Sequence, residues 1–99
     1  MILLDTNIIS EVMRPAPDPR VVCWLNGADA GILHVSTISI AEILYGLDLL
    51  PAGRRRAGRP MAAPDGQIAA IARSRAMALA TRNIRDFEAC GLALINPWA

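Results

Sequence analysis

The sequence predicts one α/β layered domain with a mainly parallel sheet, and two observations carry that expectation. Short apolar runs alternate along the chain with segments of helical spacing, and each crossover helix returns the chain to the same side of the sheet, which makes the strands parallel. Length is the second: 99 residues, 54% hydrophobic and 19% charged, suffice for one compact core and exclude a multidomain enzyme.

Each element has its own local reason. Met1 to Leu4 is a continuous apolar run that ends at Asp5-Thr6-Asn7, so it reads as a buried strand delivering a carboxylate at its C-terminal end. A brief helix over Ile8 to Met13 follows and is broken by Pro15 and Pro17. Asp18-Pro19 then reads as an N-cap with proline in the first turn of a second helix, Pro19 to Asn26, whose Val21, Val22, Trp24 and Leu25 supply an apolar face and which Gly27 stops. Ile32 to Thr37, with its β-branched residues, is the next strand. Ser39-Ile40-Ala41-Glu42 matches a Ser-x-x-Glu capping box that opens a helix to Leu50. Pro51 to Pro60, rich in Pro, Gly and Arg, is the internal linker, and its arginine cluster reads as a solvated segment with RNA or an acidic partner as the functional option. Pro64-Asp65 restarts a helix through Arg75. Met77 to Thr81 and Leu92 to Ile95 are two further strands, separated by a short helical turn over Asn83 to Glu88.

Composition narrows the function classes. The longest apolar runs, such as Val21 to Leu25, are five residues, against the roughly 20 that a bilayer span needs. The N-terminus has no cationic segment before its apolar stretch, so no secretory signal is expected and the cytoplasm is the default. Cys23 and Cys90 lack any Cys-x-x-Cys or Cys/His spacing, so buried free thiols are expected rather than a zinc site or a disulfide. A net charge of +1 excludes a strongly basic nucleic-acid surface, so charge must act locally; all ten cations are arginine, suited to bidentate phosphate contacts. His34 stands alone within a strand and reads as packed or partly exposed, and no serine has a His/Asp array behind it, which disfavours a nucleophilic hydrolase.

Open α/β sheets bind ligands beyond the carboxyl ends of their strands. Four acidic residues are placed to converge there: Asp5, Glu42, Asp65 and Asp86. Each also has an ordinary role, Asp5 and Asp86 in turns, Glu42 in a capping box and Asp65 at the positive end of a helix. Several carboxylates in one crevice repel unless a cation lies between them. Hard oxygen ligands with no neighbouring Cys or His favour magnesium or manganese, and phosphodiester hydrolysis by a metal-activated water fits that chemistry.

The segments Ile-Leu-Leu-Asp-Thr-Asn-Ile-Ile-Ser at the start, Ser36 to Gly46, Ala80 to Phe87 and the ending Ile95-Asn96-Pro97-Trp98 resemble PIN-domain ribonucleases of the VapC/FitB-like branch, toxins of bacterial toxin–antitoxin pairs. The resemblance covers most of the chain. It implies a three-layer α/β/α domain and a Mg2+-dependent endoribonuclease (Mn2+ as the other option) acting on RNA. It also implies a homodimer held inactive by a cognate antitoxin, with operator DNA reached only through that antitoxin. Carried over by position, Asp5, Glu42, Asp65 and Asp86 are the catalytic metal carboxylates. Thr6, Asn7 and Asn83 orient them, with helix capping as a compatible role, and Arg82 and Arg85 are the candidates to touch RNA phosphates, with a solvated or structural charge as the ordinary reading of either.

One departure stands out. Between Gly53 and Arg59 the chain runs almost directly from one helix into Arg-Ala-Gly-Arg-Pro, where the family has two helices and an edge strand, so residues 1–99 read as one PIN-like domain with an internal deletion near 53–59. Such a loss leaves a smaller sheet and uncovers an apolar face and a strand edge. Ala62 and Pro64 also replace residues more typical before the third aspartate. Two other classes therefore stand beside the ribonuclease. One is a non-catalytic shortened module that binds an antitoxin or itself. The other is a receiver-like signalling domain, for which no lysine exists to complete a phosphate site.

Overall fold

The computed structural model describes residues 1–45 and 63–99. The expected extension of a helix to Leu50, the linker from Pro51 to Pro60 and the deletion near 53–59 lie outside the described residues. Four strands form one parallel sheet in the order β2-β1-β3-β4. They are β1 (Ile2–Leu4), β2 (Leu33–Val35), β3 (Ala78–Ala80) and β4 (Leu94–Ile95). The helices are α1 (Thr6–Val12), α2 (Pro19–Gly27), α3 (Thr37–Leu44), α4 (Ala63–Ser74) and α5 (Ile84–Phe87), with 3-10 turns at Ala30–Ile32 and Glu88–Cys90.

Side chains alternate across a strand, and here the alternation divides the core into two layers. Leu3 and Leu79 point to one face and pack with Ile68, Ala69 and Ala72 of α4 and Phe87 of α5. Leu4 and Ala80 point to the other and pack with Ile8 of α1, Val21 of α2 and Trp98. Helices therefore cover both faces, the three-layer arrangement of an α/β domain. α3 packs against both α1 and α4 and joins the two layers.

Several boundaries differ from the sequence expectation for local reasons. α1 starts at Thr6 rather than Ile8, because the Asp5 carboxylate takes the Thr6 N–H at 2.7 Å and opens the helix there. α2 begins as expected, with Asp18 as N-cap, but runs through Gly27 and ends on Ala28. The Ser39–Glu42 capping box is not formed. Ser36, extended after β2, caps α3 by accepting the Ser39 N–H at 3.2 Å, which moves Glu42 out of the first turn. Both cysteines are free, yet Cys23 is exposed rather than buried, since two residues along a helix place it about 200° from the buried Val21. Cys90 packs against the α4 layer. Among the described residues no helix is long and apolar enough to cross a membrane.

Register positions the site. Leu4 stands opposite Val35 and Ala80, and Ala80 opposite Ile95, so all four strands end level. The residues that follow them, Asp5, Ser36, Thr81 and Asn96, are all polar and share one edge. From β1 the chain moves outward to β2, and from β3 it moves the opposite way to β4. The crevice where the direction reverses lies between β1 and β3, the place where such sheets bind ligands.

Candidate functional site

Asp5 sits at that reversal and is 3% exposed. One carboxylate oxygen, Oδ1, accepts the Thr6 N–H, while Oδ2 accepts the Thr81 hydroxyl at 2.7 Å and the Asn7 side-chain amide at 3.3 Å. Burial pushes its carboxyl up from 3.8 to about 6, the negative charges of Asp65 and Glu42 push the same way, and the bonds from Thr81 and Thr6 oppose them. A fully buried Thr81 is the hub on the β3 side. Its hydroxyl donates to Asp5 and accepts from the Asn83 backbone N–H at 3.0 Å and from Asn7 at 3.3 Å. Asn7 also accepts the Arg82 N–H at 3.4 Å, which ties the start of α1 to the loop after β3.

Glu42, 8% exposed on α3, accepts the Thr6 hydroxyl at 2.6 Å, and Thr6 also meets the Ser39 hydroxyl at 2.8 Å. Asp65 lies half-buried in the first turn of α4 and acts on Asp5 through its charge. Asp86 lies half-buried on α5. It lines a cleft of about 380 Å³ with Arg82, Asn83, Ile84, Arg85 and Asn96. Asn83 holds the N-cap position of α5 without a side-chain capping bond. Both Arg82 and Arg85 are exposed, and the Arg82 guanidinium lies 5.2 Å from the centroid of the Trp98 ring. His34 is half-buried, and among the described residues its Nε2 has no hydrogen-bond partner.

The structure thus brings Glu42 and Asp65 into electrostatic reach of Asp5 and places Asp86 on the adjoining arginine-lined cleft. Among the described residues no three His, Cys, Asp or Glu side chains form a group that could hold a metal ion. Donor chemistry nevertheless suits a hard divalent cation: burial does most to raise Asp5, and the charged groups that add to it, Asp65 and Glu42, both carry carboxylate oxygens. Sequence reasoning assigned no role to Thr81 or Glu11 and read Ser39 only as a helix cap, and all three are buried. Thr81 had a legible signal: it follows β3 as Asp5 follows β1. Glu11 binds the backbone N–H of Asp18 at 2.8 Å and pairs with Arg14 at 3.3 Å, a structural role remote in kind from the acidic edge.

Fold and site together define a parallel α/β domain with a buried aspartate, crowded by like charges, at the sheet's reversal point and exposed arginines on the adjoining cleft. The family model for the PIN domain matches residues 2–61, and the chain belongs to the PIN-domain family. Among its relatives are VapC ribonuclease Y4jK of Sinorhizobium fredii, 32% identical over 99% of this chain and 98% of that protein. Toxin FitB of Neisseria gonorrhoeae is 32% identical over 99% of each chain. A crystal structure of FitAcB from Neisseria gonorrhoeae matches with a TM-score of 0.81 at 35% identity, covering 99% of each chain. A structure of FitAB bound to an IR36 DNA fragment matches with a TM-score of 0.81 at 34% identity over 100% of this chain and 96% of the other. The expected α/β class, with its parallel sheet, agrees with these structures.

Proposed function

We propose that this chain is a metal-dependent endoribonuclease, the toxin of a type II toxin–antitoxin pair. The observation that carries the reading is Asp5, buried at the sheet's reversal point and held at about 6 by burial and by the charges of Asp65 and Glu42. A folded protein retains such crowding at a cost, and a bound cation removes that cost. Asp5, Glu42, Asp65 and Asp86 are the residues that would hold Mg2+ or Mn2+. PIN nucleases as a family work with a divalent ion, which supplies charge stabilisation at a phosphoryl oxygen and a more acidic water. This chain's own groups do the rest. Thr81, Thr6 and Asn7 fix the Asp5 carboxylate, and Arg82 and Arg85 stand beside Asp86 to receive backbone phosphates.

The partners on this reading are an RNA substrate, a cognate antitoxin, operator DNA reached through that antitoxin, and a second copy of the chain. The relatives align over 137 positions while this chain has 99 residues, and both ends are covered. That supports a shortening inside the chain, which we place near residues 53–59. Purified protein should cut a structured RNA only with a divalent ion present. Asp86→Ala should lose cleavage while its circular dichroism is unchanged, and continued cutting by that folded variant contradicts the assignment.

A second reading has its own observation. No three-ligand group stands preassembled among the described residues, and Ile40, Leu44 and Tyr45 of the α3 region are 49%, 78% and 81% exposed. A shortened module that binds an antitoxin or its own copy without cleaving RNA fits both facts. Failure of Mn2+ to raise the melting temperature would favour it.

A further inference from the structure

The bonds behind Glu42 have a direction that proton counting makes explicit. Ionised, the Glu42 carboxylate only accepts, so the 2.6 Å contact uses the single hydroxyl proton of Thr6. Thr6 then has none left for Ser39, and their 2.8 Å contact must use the proton of Ser39. Ser39 in turn has none left for Ser36, whose 3.4 Å contact uses the proton of Ser36. Ser36 is already held in place by accepting the Ser39 N–H as the cap of α3. All four groups are buried, Ser39 completely. Three hydroxyl dipoles thus line up head to tail and point at one carboxylate, in surroundings where water does not compete and aligned bonds reinforce one another.

We propose that Ser39 is a positioning residue, which holds Glu42 in its productive orientation through Thr6. Its consequence for metal binding rests on the ribonuclease reading above, whereas the coupling itself does not. Ser39 does not touch the acidic crevice. It links the cap of α3 to the first residue of α1, so the element that carries Glu42 and the element that follows Asp5 are locked in one register. Ser39 and Glu42, three residues apart, share one face of α3, and Ser36, three residues before Ser39, is the extended cap that precedes it.

Two measurements on the full chain decide it. In RNA cleavage, Ser39→Ala should raise the Mn2+ concentration for half-maximal rate about tenfold, leave KM for RNA at saturating Mn2+ unchanged, and be restored by Ser39→Thr. Ser39→Cys, which keeps a γ atom in place at a modest increase in volume and weakens the donor, should show the same rise if the alanine variant does not fold. An unchanged Mn2+ requirement in folded Ser39→Ala or Ser39→Cys overturns the proposal and leaves the ribonuclease reading standing. The second measurement needs no activity: urea midpoints of Ser39→Ala, Glu42→Ala and the double variant. A double variant that departs from the sum of the singles supports the coupling, and strict additivity overturns it. If the unaltered protein neither binds Mn2+ nor cuts RNA, the ribonuclease reading fails and the cycle alone decides the role of Ser39.

Discussion

At its start α1 is capped by a buried carboxylate, Asp5, and in its last turn it buries another, Glu11, at 3% and 6% exposure. Their company differs. Glu11 has a cation and a backbone donor: Arg14 on one oxygen and the Asp18 N–H on the other, which pins the proline-containing connection back onto the helix. Among the described residues Asp5 has only uncharged donors, Thr6, Thr81 and Asn7, and two carboxylates whose charge works against its own. Burial alone therefore does not mark a functional acid. What marks Asp5 is burial with same-sign neighbours at the point where the sheet reverses direction, a combination that Glu11 lacks.

The comparison can be broken first at the chemistry. Asp5→Asn should reduce RNA cleavage at least about a hundredfold, in line with the several kcal/mol a metal site supplies to such a transition state. Single-turnover assays on a variant shown to be folded check this. An equal loss in Glu11→Gln would erase the distinction between the two ends.

Next comes pH. A carboxyl raised from 3.8 to about 6 on folding binds its proton more tightly in the folded state. Its favourable contribution is complete below pH 3.8 and is lost as pH rises through about 6. In metal-free buffer, stability should therefore gain about 2 kcal/mol at this site between pH 7 and pH 4. Urea unfolding at the two pH values should show that gain in the unaltered protein and its absence in Asp5→Asn.

A smaller effect belongs to the other end of the helix. Glu11→Ala leaves the Asp18 N–H without its partner and should cost about 1–3 kcal/mol of stability, with cleavage per folded molecule unchanged. Glu11→Gln, whose amide oxygen can still accept, should cost less. The smallest is Arg82→Ala. Removing an exposed guanidinium from the Trp98 ring should cost no more than about 1 kcal/mol of stability while raising KM for RNA.

The fold was legible where one local rule decided the outcome. Asp18-Pro19 has a single reading as cap and first turn, and the apolar run before Asp5 could be little else than a buried strand. Legibility failed where two local readings were equal and a distant residue chose between them. Ser36 and Ser39 are both plausible caps of α3, and the hydroxyl of Thr6, 33 positions from Ser39, recruits Ser39 into the interior and leaves Ser36 to cap. Glu11 went unassigned because the Asp18 N–H it accepts lies across a proline-containing turn, and Thr81 because Asp5 lies on the neighbouring strand, so that its place after β3, and no spacing along the chain, was its signal. The run Val21 to Leu25 shows the same limit in reverse. Five apolar residues on one helix cannot all face the core, and Cys23 is the one on the far side.

Manganese binding followed by thermal unfolding tests the central claim most directly. The account predicts that Mn2+ raises the melting temperature of the unaltered protein, that the gain disappears in Asp5→Asn, and that it persists in Glu11→Gln. No gain in the unaltered protein, or an undiminished gain in Asp5→Asn, would contradict it.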